Sequence, residues 1–201
     1  ATRADLGPRV TTEGVARNRM LILTALLRLR QMACDPRLVD PKLSADDSAK
    51  LIAFRDLVSE VIAGGRRALV FSQYVDFLTI VREALDERGI AYEYLDGSTP
   101  EASRQARVDA FQDGTATLFL ATLKAGGFGV NLTAADYVIH LDPWWNPAVE
   151  EQATARAHRI GQDQPVFIYK IVVEGSIEER MLALQARKAA LAEGVLGADA
   201  A

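Results

Sequence analysis

The chain has 201 residues, 49% of them hydrophobic and 25% charged, with a net charge of −4. That length buries a real core, with one α/β domain as the default, and the acidic balance excludes a protein held on nucleic acid by an overall basic field. The lone Cys34 cannot close an internal disulfide and suits a reducing compartment, no cluster has metal-ligand spacing, and no apolar run approaches the ~20 residues of a membrane span or forms a signal-peptide core.

Taken in order, residues 1–13 lack any period and read as a loose arm. Residues 14–34 carry Met20, Leu21, Leu23, Leu27 and Met32 at helical spacing, with Arg17, Arg19, Arg28 and Arg30 beside them. This is an amphipathic helix whose basic excess is either a solvated face or a phosphate contact. Asp35-Pro36 ends it, and a Pro- and Asp-containing connector runs over 36–47. A helix over 48–63, stopped by Gly64-Gly65, leads into a buried strand over 67–71; a helix over 75–88, closed by Gly89, leads into a strand over 90–95. A helix from Pro100 to about Gly114 precedes a third strand over 117–121, and 137–141 reads as a fourth. A helix carrying Val149, Gln152, Ala153, Arg156, Ala157, Arg159 and Ile160 follows, then a strand over 166–172. Ser176, with Glu179 three residues on, makes a capping box for a last helix to about Glu193, before an Ala/Gly-rich tail.

Strands alternating with helices of this length imply right-handed crossovers and a three-layer α/β domain, its mainly parallel sheet covered by helices on both faces. The expected organisation is an arm, helix and connector over 1–47, the α/β lobe over 48–175, and a closing helix and tail over 176–201. In such sheets ligands gather beyond the carboxyl ends of the strands. Ser72-Gln73, Asp96-Gly97, residues 122–129 and residues 142–146 all follow strands directly, so they share one rim.

Several residues there are chemical candidates. Gln152, Arg156 and Arg159 are spaced i, i+4, i+7 and fall on one helical stripe, beside the apolar stripe of Val149, Ala153, Ala157 and Ile160. Two guanidinium forks at the margin of a buried face suit a phosphate ligand; the bland alternative is a surface ion pair with Glu150 or Glu151. Gly126, Gly127 and Gly129 permit close approach of a ligand to backbone amides, or simply a tight turn. Ser72 and Gln73 suit a phosphate oxygen or a helix cap. Of the paired tryptophans, Trp144 suits the core and Trp145 a loop. Asp142 imitates a magnesium-binding acid at a strand end, yet no phosphate loop precedes it. His140 and His158 read as structural, and Arg104 and Arg107 lie on a helix whose surface face claims at least one of them.

The segments LKAGGFGVNLTAAD (123–136), LDPWWNP (141–147) and QATARAHRIGQ (152–162), in this order, resemble the fifth and sixth helicase motifs of SWI/SNF-type ATP-dependent DNA translocases. VFSQ (70–73) resembles the fourth motif, LDGST (95–99) the segment after it, and SIEER (176–180) the start of the closing helix; the resemblance runs from about Arg28 to Lys188. Single pieces are weak signals, and their order makes them strong. Asp35 stands where that family often has histidine. The resemblance implies a second RecA-like lobe in which Arg156 and Arg159, with Gln152, act on ATP; Gly127, Gly129 and Asn131 border the nucleotide; and Ser72, Gln73, Thr122, Lys124 and Trp145 contact double-stranded DNA.

The chain holds no GxxxxGK[ST] phosphate loop and no acidic pair after a strand, so it carries half an active site. The expected partner is a first RecA-like lobe of the same parent protein, which supplies the phosphate loop and holds the magnesium of ATP; alone, this lobe is expected to be inactive. Its further target is a nucleoprotein or a polymerase. The excess of arginine over lysine suits a GC-rich bacterial genome and a cytoplasmic, nucleoid-associated protein. The alternatives are a second lobe of another helicase class acting on RNA, or a stand-alone binding module without catalysis.

Overall fold

The computed structural model describes residues 19–44, 48–125, 131–157 and 165–198. The arm expected over 1–13 and the extreme tail lie outside these residues. Five parallel strands form the centre: β1 (Ala68–Ser72), β2 (Tyr92–Leu95), β3 (Leu118–Thr122), β4 (Tyr137–His140) and β5 (Phe167–Lys170), in the order β2-β3-β1-β4-β5. Among the described residues six α-helices accompany them: α1 (Arg19–Cys34), α2 (Ala49–Ala63), α3 (Val75–Asp86), α4 (Glu101–Gln112), α5 (Pro147–Thr154) and α6 (Ile177–Ala198).

The layers follow from the alternation of side chains along β1. Ala68 and Val70 point to one face, where they meet Leu51, Phe54 and Val58 of α2 and Phe77, Leu78 and Val81 of α3. Leu69 and Phe71 point to the other, against Val108 and Phe111 of α4 and Ala153 of α5. Because β1 is covered on both sides, all five of its residues are buried, as in the near-continuous apolar runs of parallel sheets. Ser48 caps α2 by accepting a hydrogen bond from Leu51 N at 3.3 Å. Gly65, at φ +63°, stops the same helix, since a left-handed residue there lets Arg66 N return to Val61 O at 3.0 Å. The expected capping box of α6 is present in displaced form: Ser176 Oγ accepts from Glu178 N at 3.1 Å, and Glu179 reaches back to Gly175 N at 3.0 Å.

Three expectations are corrected. The apolar stripe read for α1 faces solvent, with Met20 77% exposed and Leu23, Leu27 and Met32 also exposed, whereas Ala25, Arg30 and Cys34 are the buried positions. Arg30 wins the inner face because its guanidinium finds a carbonyl and two aromatic rings there. The helix entered at Pro147 stops at Thr154 instead of continuing through Arg159: Arg156 N and Ala157 N bond three residues back, to Ala153 O and Thr154 O, and Arg156 O is taken by Leu132 N at 3.2 Å. A tertiary bond there replaces helical continuation. The last strand is shorter than expected and is not covered, with Phe167, Ile168 and Tyr169 all exposed, because it is the sheet edge beyond β4.

Beneath the strand ends lies a buried ion pair. Lys50 Nζ donates to Glu178 at 2.6 and 2.8 Å, to Leu141 O at 2.7 Å and to Ile171 O at 3.1 Å. Glu178 also accepts from Val173 N at 3.1 Å, so α2, the ends of β4 and β5, and α6 meet at one charge pair. Removing one partner leaves the other buried and uncompensated. Glu178→Ala is therefore expected to lower stability by about 3–5 kcal/mol in urea unfolding, and the double substitution Lys50→Met, Glu178→Leu by much less than two such losses.

His140 is buried against Thr154, Nε2 to Oγ1 at 3.0 Å, and stacks on Phe71 at 5.6 Å between centroids. Burial, with the Lys170 charge, brings its imidazole down to about 4 against the opposing pull of Glu150. A histidine whose folded value lies below its unfolded value of about 6.5 binds fewer protons when folded, so its contribution is complete above pH 6.5 and is lost as pH falls toward 4. Thermal unfolding from pH 7 to pH 4 should show a steeper fall in Tm for the natural chain than for a folded His140→Phe variant; parallel slopes would remove His140 from the acid transition.

Candidate functional site

The parallel topology brings the carboxyl ends of β3, β1 and β4 side by side, with Ser72 in register with Thr122 and Phe71 with His140. Neighbouring strands lie about 4.8 Å apart, so the segments leaving β3 and β4 emerge about 10 Å from each other, with that of β1 between them. Gln73, Lys124 and Trp145 follow these three strand ends. Lys124 is exposed and Trp145 is 44% exposed, whereas Ser72 and Thr122 are buried.

The hydroxyls of those two buried residues each hold a loop. Ser72 Oγ donates to Asp142 in a short hydrogen bond and accepts from Tyr74 N at 3.1 Å; Thr122 Oγ1 accepts from Ala125 N at 3.2 Å and shapes the turn that presents Lys124. Asp142 takes a second donor from the Gln73 side chain at 2.7 Å and lies 3.2 Å from Gln73 N. Burial pushes the Asp142 carboxyl above its ordinary range, against the downward pull of Ser72, the Lys50 charge and Gln73. Its part is to lock the loop after β1 to the loop after β4, and a magnesium-ligand role does not fit oxygens already given to three donors.

The loop from Asp142 to Asn146 is held at nearly every residue. Arg30 Nη2 donates to Pro143 O at 3.0 Å. Trp144 N donates to the buried Glu150, and Trp144 O accepts from Gln185 of α6. Lys170 pairs with the other Glu150 oxygen, which places both a loop amide and an ammonium on a carboxylate in the first turn of α5. Asn146 caps α5 through Ala148 N at 3.2 Å, and Pro147 follows at the first helical position. Trp144 packs its ring against the core, as read from sequence; Trp145 alone of the pair turns outward.

The nucleotide candidates divide. Gly127, Gly129, Arg159 and His158 lie outside the described residues. Asn131 is exposed, and its segment is fixed by Gln112 of α4, which accepts from Ala134 N at 2.8 Å and donates to Thr133 Oγ1 at 3.3 Å and Asn131 O at 3.4 Å. Arg156 is 4% exposed in the turn after α5, and its carbonyl receives Leu132 N, so Arg156 and Asn131 belong to adjoining segments. Gln152 is exposed on α5; the common stripe expected for Gln152 and Arg156 is lost where the helix tightens. Arg104 and Arg107 serve the fold, donating to Thr99 O at 3.0 Å and to Tyr94 O. Asp35 likewise caps a short 3₁₀ turn (Pro36–Leu38) and pairs with Arg37 at 2.9 Å, which outweighs its burial and holds its carboxyl below the usual range.

Sequence reasoning missed Lys50, Gln112, Glu178 and Gln185, and it read Arg30 as a solvated-face or phosphate-contact residue and Glu150 as a surface ion-pair partner; each of the six orients a loop. The only local signal was charge on a helix face otherwise apolar, as with Lys50 directly before Leu51 and Ile52.

Comparison with known proteins gives the same placement. Residues 49–161 match the helicase conserved C-terminal domain. An ATP-dependent helicase of Mycoplasma pneumoniae is 41% identical over 179 residues, 89% of this chain and 17% of that protein, so the chain spans about a sixth of the relative. The SWI2/SNF2 ATPase C-terminal domain of Sulfolobus solfataricus superposes with a TM-score of 0.76 at 29% identity, covering 93% of this chain and 77% of that one. The SWI2/SNF2 ATPase core of the same organism, solved in complex with double-stranded DNA, gives a TM-score of 0.80 at 31% identity, covering 94% of this chain and 40% of that one. With its sheet order, its strand-end loops and these likenesses in agreement, the chain belongs to the helicase conserved C-terminal domain family, as a RecA-like second lobe of SWI2/SNF2 type.

Proposed function

We propose that this lobe is the second half of a DNA-dependent ATPase and translocase, closing on ATP held by a first lobe while its rim follows the backbone of duplex DNA. The observation that carries the reading is the bond from Leu132 N to Arg156 O, which sets a buried arginine beside the segment of Asn131. In this reading Asn131 borders the nucleotide from the segment that Leu132 ties to Arg156, and Gly127, Gly129, Gln152 and Arg159 belong to the same site by resemblance. Guanidinium forks there stabilise negative charge that develops on the γ-phosphate during transfer. The magnesium that accompanies ATP is assigned to the first lobe, since Asp142 does not fit it.

On the DNA side, Lys124 and Trp145 offer a cation and an aromatic face, and from the strand end between them Gln73 offers the part of its amide that its bond to Asp142 leaves over. Ser72 and Thr122 stand behind them: the Ser72 hydroxyl donates to Asp142, and Thr122 accepts from Ala125 N with its own O–H left to meet a phosphate oxygen. A set of one amide, one ammonium and one ring reads no base edges and suits sequence-independent tracking. The likeness to a core solved on double-stranded DNA supports duplex over RNA as the track. The target moved, nucleoprotein or polymerase, is a property of the whole parent protein in a bacterial nucleoid.

In the two-lobed protein, Arg159→Ala and Arg156→Ala should each cut ATP turnover by at least ~10², within the ~10³ to 10⁵ range of arginine fingers, while nucleotide and DNA affinity change far less. Lysine at either position should not restore turnover, because a point charge cannot reproduce the fork. Near-natural ATPase in folded Arg159→Ala protein would reduce it to a structural residue.

Duplex binding by this lobe should be weak and salt-sensitive. Titrating a labelled duplex across salt concentrations, Lys124→Ala should lower the slope of log K against log salt by about 1, and Trp145→Ala should weaken binding with the slope intact. A slope that ignores Lys124 would take that residue off the phosphate backbone.

A further inference from the structure

Arg30 is an unusual residue for a flanking helix. It is 5% exposed, it comes from α1 outside the sheet layers, and its guanidinium carbon lies 5.1 Å from the centroid of the Trp145 ring and 5.8 Å from that of Tyr74. Its Nη2 bonds Pro143 O at 3.0 Å, two residues before Trp145. One cation therefore touches both loops that Asp142 ties together from the other side: Tyr74 follows Gln73 after β1, and Pro143 to Trp145 follow β4. Trp145 itself is half exposed and, among the described residues, has none of the side-chain clamps on its backbone that hold Trp144. A ring resting on a planar cation that is itself bonded to the preceding backbone is restrained in tilt as well as in position.

We propose that Arg30 is a positioning residue for Trp145, holding the indole at the angle in which it meets the DNA track. The assignment rests on the reading of Trp145 as a duplex contact. It makes the flanking helix part of the interface machinery without touching DNA itself: the guanidinium is buried, so it acts through the ring. Lysine at this position could keep a charge near the ring but could not stack a plane on it and bond the carbonyl together.

The test reads Trp145 with and without DNA. In a Trp144→Phe background Trp145 is the one remaining tryptophan, and its time-resolved anisotropy and acrylamide quenching report ring mobility on the nanosecond scale. Arg30→Leu should at least double the amplitude of fast depolarisation and raise quenching, with far-ultraviolet circular dichroism unchanged. If Arg30→Leu does not fold, Arg30→Lys must still loosen the ring. In duplex titrations at low salt, Arg30→Leu should weaken binding as much as Trp145→Ala, and the double variant should lose nothing more. Unaltered anisotropy in folded Arg30→Leu and Arg30→Lys proteins overturns the proposal, as does additive loss of binding in the double variant. A looser ring with duplex binding indifferent to both Arg30→Leu and Trp145→Ala would uphold the restraint on the ring and overturn the DNA role of Trp145 instead.

Discussion

The rim depends on one buried ammonium. Lys50 enters from α2 with its charge fully removed from water, a state tolerable only because each of its donors has an oxygen to meet. Those oxygens belong to the residue before Asp142, to the residue after β5 and to the start of α6. The ammonium thus sets the level at which the β4 loop begins, and it draws the long C-terminal helix onto the sheet where Gln185 can reach Trp144. Its influence extends further: the Cys34 thiol nearby is pushed well above its ordinary range by burial and by Asp142, with Lys50 pulling the other way. Apolar packing would allow these segments to slide; a charge with directed donors does not.

Above that base the construction changes from charge to peptide groups. Asp142, Pro143 and both polar ends of Trp144 are each claimed by a different part of the molecule, namely the β1 loop, α1, α5 and α6. Preorganisation of this kind lowers the entropy lost when a site engages its ligand, because the ordering has been done in folding. Rigidity is concentrated where the ligand is not: the clamped groups are inside, and the side chains left outward, Lys124 and Trp145, are the ones suited to a passing phosphate or sugar.

Much of this was legible from the amino acids and some could not be. The strands and helices from Ser48 to Thr122 follow directly from apolar spacing, because a sheet covered on both faces forces its central strands to be apolar throughout. The rim was legible too, since parallel topology leaves strand ends together whatever the side chains are. Spacing failed where a charged residue is buried. Periodicity assigns Arg30 and Lys50 outward, and the groups that reverse the assignment lie 113 and 128 residues away in the chain. It failed again at Arg156, where one backbone bond to Leu132 ends a helix that local propensity would extend. Ser72 and Thr122 were assigned to the DNA side by resemblance, and their bonds to Asp142 and from Ala125 N are visible only in three dimensions.

The open edge of the sheet has a consequence of a different kind. β5 presents Phe167, Ile168 and Tyr169 to solvent, with Phe167 and Tyr169 stacked on Tyr137 at 5.3 and 5.9 Å, along an edge that no strand among the described residues pairs. Such a strand is a template on which another chain can add itself, and repeated addition makes a filament. Two features keep this one short: Pro165 just upstream cannot donate to a growing ladder, and Lys170 ends the strand with a charge. The four-residue length of β5 is therefore protective, and lengthening it with further β-branched residues would make the lobe prone to polymerise through its own edge.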